Sequence, residues 1–403
     1  MPLERIRFID EPELDLEGQR VFVRVDFNVP LDKKSGAVVD DERIRAALPT
    51  LKHIADAGAK LVLASHLGRP KGKRNSAYDM EAVGTRLSEL TGWDVHMPED
   101  LVGDGPLKVI SDLRPGRVCL LENLRFDPGE EKNDPSFAKQ LAALCDYYVN
   151  DAFGAAHRAH ASVDALPRLM RERFMGLLMR SEVQALEQIV KNPAKPFVAI
   201  LGGAKVADKL GVIERLLGKC TTLCIGGAMG NTLLAAQGAD LRASRVEQGE
   251  LARGRSLLAR ASEFGVELLL PSDVVVAESP EASTGEAVSI SAIPAGQMAL
   301  DVGPATLEAF AARIEQAKTV FWNGPMGLFE NPAFAAGTLG LARALANSAA
   351  YSVIGGGDSA AAVRRAGAEV VEKIGFISTG GGAALELCEG RNLPGIESLR
   401  MPG

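Results

Sequence analysis

A chain of 403 residues, 46% hydrophobic and 24% charged, is long enough for two or three average domains and lies far from the composition of disordered chains. With 45 basic against 52 acidic residues the formal charge is −7 and neither half is a polycation, so nucleic-acid binding through a basic face is not expected. The five scattered cysteines (Cys119, Cys145, Cys220, Cys224, Cys388) do not make a disulfide framework, and Cys220 and Cys224 lack the close spacing of most zinc sites; they read as reduced core thiols. Charge recurs every two or three positions through the first twenty residues, which leaves no room for the apolar segment of a signal peptide. No run reaches the ~20 uncharged apolar residues of a membrane span. A cytoplasmic protein without membrane contact is expected.

In chain order the sequence repeats one unit: a short β-branched apolar run, a polar or glycine-rich break, then a helical pattern. The first-half runs are RVFVRVDFN (20–28), KLVLASHLGR (60–69), VCLLENLRF (118–126) and DYYVNDAFG (146–154). FVAILGGAK (197–205), TTLCIGGAMG (221–230), TVFWNGPMG (319–327), AYSVIGGGDS (350–359) and GFISTGGGA (375–383) follow in the second half. Apolar runs without polar alternation imply strands buried on both faces, as in a parallel sheet covered by helices. The expected fold is therefore α/β: two Rossmann-like domains, each a parallel sheet flanked by helices, joined by a linking helix with a cleft between. A 3.6-period stretch from about Arg180 to Lys191, ending before Pro193 and Pro196, supplies the linker and puts the boundary at about 174/175. DPGEEKNDPS (127–136) and RPKGKRNSAYD (69–79) are polar and turn-rich and read as surface loops.

Ligands of such sheets bind beyond the carboxyl ends of the strands, and the two halves place different chemistry there. Asp26 and Asn28, His66 and Arg69, Arg125, and His157 with Arg158 follow the first-half runs. Together with Arg43, these arginines form either ordinary surface cations or a pocket for a small, strongly anionic ligand, to which a planar guanidinium binds at two points. His66 and His157 read as ligand contacts or as packing histidines. After the second-half runs come Gly202-Gly203 with Lys205, Gly226-Gly227, Gly324, the triple glycine 355–357 with Asp358, and the triple glycine 380–382. Glycines before helix N-termini expose backbone N–H groups to a phosphate, so the set points to a nucleotide, although neither G-x-x-x-x-G-K-[ST] nor G-x-G-x-x-G opens a helix. Asp358 reads as a helix cap or as a carboxylate for Mg²⁺ beside phosphate. Lys205 and Lys209, four apart, are expected on one face of the helix that opens there. No Ser/His/Asp or Cys/His arrangement supports nucleophilic hydrolysis.

The strings DFNVP (26–30), SHLGRP (65–70), LENLRF (121–126), NDAFGAAHRAHAS (150–162), LGGAKVADK (201–209), WNGPMGLFE (322–330), GGGDSAA (355–361) and STGGGAALELCEG (378–390) closely resemble the ordered motifs of the phosphoglycerate kinase family and span nearly the whole chain. The resemblance implies a monomeric glycolytic enzyme of two domains that closes about a hinge. Its reaction would be the Mg²⁺-dependent transfer of a phosphoryl group between 1,3-bisphosphoglycerate and ADP, giving 3-phosphoglycerate and ATP. It implies that Asp26, Phe27, Asn28, Arg43, His66, Leu67, Gly68, Arg69, Arg125 and Arg158 hold the phosphoglycerate. Gly203, Lys205, Lys209, Gly226, Gly227, Asn323, Glu330, Gly356, Gly357, Asp358 and Ser359 would hold the nucleotide, with Asp358 on the metal. Arg43, Lys205, Lys209, Gly357 and Gly381 would act on the group in transfer. It also implies that residues 391–403 pack back on the N-terminal domain 1–174, leaving 175–390 as the nucleotide domain. Two positions depart from the pattern: Ser359 stands where threonine is expected, and Ala299 where glycine is frequent beside the adenine. A catalytically silent nucleotide-binding protein and a kinase for another small carboxylate are the rival readings.

Overall fold

The computed structural model describes residues 3–402. The apolar runs of the first half become β1 (Arg20–Arg24), β2 (Lys60–Ala64), β4 (Val118–Leu120) and β5 (Tyr147–Asn150), joined by β3 (Val95–His96) and β6 (Arg173–Met175) in one sheet of order β3-β4-β2-β1-β5-β6. Every pairing is parallel, so all six carboxyl ends share one edge. Val21, Val23, Leu61, Leu63, Val118, Leu120 and Val149 pack with Ile44, Leu51 and Ile54 of the helix Glu42–Asp56 on one face, which is why these runs carry no polar alternation.

The second half repeats the plan with β7 (Phe197–Leu201), β8 (Thr222–Ile225), β9 (Glu267–Leu269), β13 (Thr319–Asn323), β14 (Tyr351–Gly355) and β15 (Phe376–Ile377). This parallel sheet has the order β15-β14-β13-β7-β8-β9. Trp322 and Phe321 are fully buried on β13. One element has no counterpart in the two-sheet expectation. β10 (Asp273–Ala277), β11 (Glu286–Ser289) and β12 (Met298–Val302) form a separate antiparallel sheet of order β11-β10-β12. Only β10 (DVVVA) carries an apolar run; β11 is mostly exposed and β12 begins half-buried.

The chain divides into two units, one running through Gln184 and taking in the residues from Asn392 onward, the other Ala185–Arg391. This division at 184/185, rather than 174/175, falls inside the linking helix Leu177–Val190. The start of that helix stays with the first unit because it is bonded there. Leu177 N–H donates to Thr50 Oγ1 (3.0 Å), Met179 N–H to Asp151 Oδ1 (3.1 Å), and Arg180 forms a two-point pair with Asp10 (2.9 and 2.8 Å). At the other end Gly395 N–H donates to the Ala156 carbonyl (2.8 Å) and Ser398 Oγ to that of Val163 (2.9 Å).

The surface-loop reading of 127–136 is corrected. Pro128–Glu131 and Pro135–Ala142 are helical, and Glu130 is wholly buried because its carboxylate accepts from the backbone N–H and the hydroxyl of Ser162. All five cysteines are free and buried, and burial pushes the Cys119, Cys145, Cys220 and Cys388 thiols up to about 12. Among the described residues no helix is long and apolar enough to cross a membrane.

Candidate active site

In the first unit the candidate residues gather at the carboxyl edge of four neighbouring strands, β4, β2, β1 and β5. The turns there are tied to one another. Phe27 N–H donates to Ser65 Oγ (2.8 Å), and Gly68 N–H donates to Asn28 Oδ1 (2.9 Å). Asn123 organises the third turn, accepting from the N–H groups of Leu67 (3.2 Å) and Arg125 (3.0 Å) and donating to the carbonyls of Leu67 (2.7 Å) and Tyr78 (2.9 Å). Gly68 has φ +60°, and a Cβ there would lie 2.3 Å from the Tyr78 ring, so this close approach needs glycine.

Onto this frame the cations converge. Arg43, in the first turn of Glu42–Asp56, donates to Asp26 Oδ2 at 2.6 Å. Arg125 donates to the Gly68 carbonyl at 2.7 Å, while its Nε is buried without a hydrogen bond, 3.3 Å from Glu131. Burial first, then the fields of Arg24, Arg125 and Arg43, hold the His66 imidazole well below its ordinary range. Burial and Arg24, Arg125 and Arg158 take His160 down to about 3. Burial also lowers Arg125, with Arg24 and Arg158 acting in the same direction. The structure thus brings Asp26, Asn28, Arg43, His66, Leu67, Gly68, Arg125 and Arg158 together. Arg158 is exposed and donates from Nε to His157 (3.2 Å). Arg69 is exposed and makes no hydrogen bond or ion pair among the described residues.

In the second unit the glycine breaks lie at the carboxyl edge of the adjacent strands β15, β14, β13, β7 and β8. Three helices open there: Gly227–Ala236 behind Gly226, Gly357–Ala366 behind Gly356, and Gly382–Cys388 behind Gly381. The turns after β7 and β13 are packed backbone to backbone. Gly203 N–H donates to the Pro325 carbonyl (2.9 Å), and Gly324 has φ +95° with room for no Cβ, since one would lie 2.3 Å from the Gly202 carbonyl oxygen. Lys209 Nζ donates to the carbonyls of Gly202 (2.6 Å) and Asn323 (2.9 Å). Burial lowers its pKa to about 8, against the opposing pull of Asp358 and Asp208.

Two expectations are corrected here. Lys205 and Lys209 do not share a helix face. The helix starts only at Leu210, after the single turn Ala207–Lys209, and the loop before it is held open where Val206 N–H donates to Glu247 (2.6 Å). Lys205 is left exposed on that loop. Asp358 is not the cap, which is Gly356; it sits exposed in the first turn and makes no hydrogen bond among the described residues. Ser359 is wholly buried, its Oγ accepting from Gly324 N–H at 2.6 Å. Asn323 is 2% exposed, yet its Nδ2 has no hydrogen-bond partner and faces Gly356, where a Cβ would lie 3.0 Å away.

A cavity of ≈ 370 Å³ opens beside these turns. Gly203, Gly227 and Asp358 line it, as do Val274, Met298, Ala299, Leu300, Val302 and Met326 and the exposed Glu330. Its size and its mix of apolar wall with a few polar groups are those of a small-molecule site. The wall combines glycine turns and a carboxylate with an apolar slot, and Lys209 is bonded to the Gly202 turn next to it, a set that suits a nucleotide. Among the described residues no three His, Cys, Asp or Glu side chains form a metal-ligating group. Asp358, unpaired among the described residues and beside the turns, suits a cation that takes one carboxylate from the chain and the rest of its shell from phosphate and water.

Comparison with known proteins agrees with this geometry. A family model described as phosphoglycerate kinase matches residues 12–391. The chain belongs to the phosphoglycerate kinase family. Phosphoglycerate kinase of Anaeromyxobacter sp. (strain K) is 53% identical over 397 residues, covering 98% of this chain and 99% of the relative. A chloroplastic phosphoglycerate kinase of Volvox carteri is 50% identical over 394 residues, 97% of this chain and 85% of the relative. Among solved structures, phosphoglycerate kinase from Coxiella burnetii superposes with a TM-score of 0.84 at 39% identity, covering 96% of this chain and 97% of that one. The enzyme from Pyrococcus horikoshii gives 0.82 at 32% identity, with 98% of each chain covered.

Sequence reading did not single out Arg24, Asn123, Glu130, Ser162 and His160, all buried in the first unit beside the candidate residues. Arg24 carries a signal that went unread: it is a charge inside the apolar run RVFVRV. Asn123, His160 and Ser162 lie inside the motifs LENLRF and NDAFGAAHRAHAS, but the partners that bury Glu130 and Ser162 lie far apart in the chain and leave no local mark.

Proposed function

We propose that this member of the phosphoglycerate kinase family catalyses reversible phosphoryl transfer between 1,3-bisphosphoglycerate and ADP, giving 3-phosphoglycerate and ATP. The phosphoglycerate binds at the arginine and histidine edge of the first unit and the nucleotide in the glycine-lined cavity of the second. The observation that carries this reading is the buried donor of Asn323, left without a partner at the end of β13 and facing the triple-glycine turn beside the cavity. An unpaired buried donor is costly unless a ligand accepts from it, and a phosphate oxygen is such an acceptor.

The acceptor in the reverse direction is a carboxylate, already ionised at neutral pH, so no general base is needed. What remains is positioning and neutralisation of charge on a loose, metaphosphate-like transition state. To Arg43, steadied by Asp26, and to Lys205, exposed on its loop, this reading assigns the task of following the transferring group. Lys209 and the helix N-termini at Gly357 and Gly382 hold phosphate oxygens. Asp358 would hold Mg²⁺, which supplies positive charge to the phosphate chain when bound. Because each ligand docks on its own unit, transfer requires that the reacting oxygens be brought to about 3–3.5 Å, and closure about the linking helix is the step assigned to this.

The test is a coupled assay with 3-phosphoglycerate and ATP, run in parallel with glycerate and other small carboxylates. Turnover with 3-phosphoglycerate and loss of it in Asn323→Leu support the assignment. Preference for another carboxylate would transfer it to a different kinase activity, and absence of turnover with nucleotide still bound would make the chain a nucleotide-binding protein.

A further inference from the structure

The proposed mechanism uses His66 but not the buried chain of groups behind it. Arg24 stands at the end of β1 with no exposure, and its Nε donates to Ser162 Oγ at 2.9 Å, one Nη to the Val25 carbonyl, and Nη2 lies 3.2 Å from His66 Nδ1. Ser162 donates from Oγ to Glu130 Oε1 (2.6 Å) and from its backbone N–H to Oε2 (2.9 Å). Ser162 and Glu130 are likewise fully buried, and the π-helical turn Ala161–Ala165 holds Ser162 in place. The directions of these bonds follow from the chemistry. A guanidinium has donors only, so His66 Nδ1 must accept and the neutral ring carries its hydrogen on Nε2. The one hydroxyl hydrogen of Ser162 goes to the carboxylate, which leaves its lone pairs for Arg24. Glu130 supplies the negative charge that a buried arginine requires.

We propose that Arg24, Ser162 and Glu130 are positioning residues that hold His66 as the neutral Nε2–H tautomer, so that it meets phosphoglycerate as an uncharged hydrogen-bond donor. The other groups around the ring favour the same state. Arg43 faces it from the helix Glu42–Asp56, Arg125 from the turn Leu124–Phe126, and His160 from the segment before the π-turn. The nearest acid, Asp26, lies 3.9 Å from Nδ1 and is already paired with Arg43. A fixed neutral donor gives the pocket directional hydrogen bonding that does not change between pH 6 and 8, where an ordinary imidazole titrates. The inference rests on the first unit being the phosphoglycerate half-site, and two separate readouts distinguish the two ideas.

The first readout needs no ligand. The imidazole ¹⁵N resonances of the full chain, with His66 assigned by difference from His66→Gln, are followed from pH 5.5 to 8.5. The expected result is one neutral Nε2–H tautomer throughout. In Arg24→Lys, whose single ammonium cannot serve Ser162 and His66 with a planar fork, the Nδ1–H form should appear or the ring should titrate. Ser162→Ala, which deletes only a hydroxyl, should do the same to a smaller extent and covers the case in which Arg24→Lys fails to fold. A wild-type ring that titrates near its ordinary value, or rings unchanged in both variants, would overturn the proposal. The second readout is kinetic: KM for 3-phosphoglycerate should rise about tenfold in Ser162→Ala while KM for ATP stays constant. Altered spectra with an unchanged KM for 3-phosphoglycerate would leave the tautomer lock standing but refute its role in binding that substrate.

Discussion

Lys209 lies in the second unit with Nζ donating to the carbonyls of Gly202 and Asn323 at 2.6 and 2.9 Å, and burial brings its pKa to about 8. If its cation holds nucleotide phosphate, the free enzyme loses that cation as pH rises through about 8. The protonated fraction falls from about nine-tenths at pH 7 to about one-tenth at pH 9, so kcat/KM for ATP should fall by about tenfold over that interval. Bound phosphates favour the charged amine, so kcat at saturating nucleotide should stay nearly flat and the change should appear in KM. The perturbation is Lys209→Arg. A guanidinium stays charged throughout, so the alkaline limb should vanish even though the planar fork cannot reproduce both carbonyl bonds and the pH 7 value drops. The assay is a coupled measurement at saturating 3-phosphoglycerate from pH 6.5 to 9.5. A flat wild-type profile, or the same tenfold limb in Lys209→Arg, would refute the assignment of this lysine to the phosphates.

Other outcomes are equally specific. Arg43→Ala should lower kcat more than it raises KM, by about 10²–10³, if the guanidinium acts on the group in transfer; a change confined to KM would place it in ground-state binding. Asp358→Ala should remove the Mg²⁺ dependence together with nearly all turnover, checked by titrating Mg²⁺ against rate, and full activity would exclude it from the metal site. Gly324→Ala places a Cβ 2.3 Å from the Gly202 carbonyl oxygen at φ +95°. Denaturant unfolding should show a loss of about 2–4 kcal/mol, and an unaltered midpoint would contradict the packing of these turns. His160, whose folded pKa is about 3, takes up a proton on unfolding below its ordinary pKa of about 6.5. Stability therefore falls as pH drops below about 6.5, by about 1–2 kcal/mol between pH 7 and 5 from this group, and His160→Gln should lose that component in parallel denaturation curves.

Much of the molecule was legible because it depends on short-range physics. Runs such as FVAIL and TVFWN state their own burial, and a glycine such as Gly324 or Gly356 marks where the backbone must turn with positive φ, so strands, breaks and the rows of exposed amides follow from residues next to one another. Where reading stopped, the partner lay elsewhere in the chain. Composition makes DPGEEKNDPS a surface loop, yet Glu130 is buried because Ser162 reaches it; Lys205 and Lys209 have helical spacing, yet Glu247 holds the loop between them and β7 open. The antiparallel sheet that supplies Val274, Met298 and Leu300 to the cavity wall pairs β10 with the largely exposed β11 and half-buried β12, and Arg24 meets Ser162 across 138 residues. Backbone preference and hydrophobic period are local and were determined by the sequence itself. The partner of a buried charge is chosen by strand order and burial, and only the tertiary structure decided it.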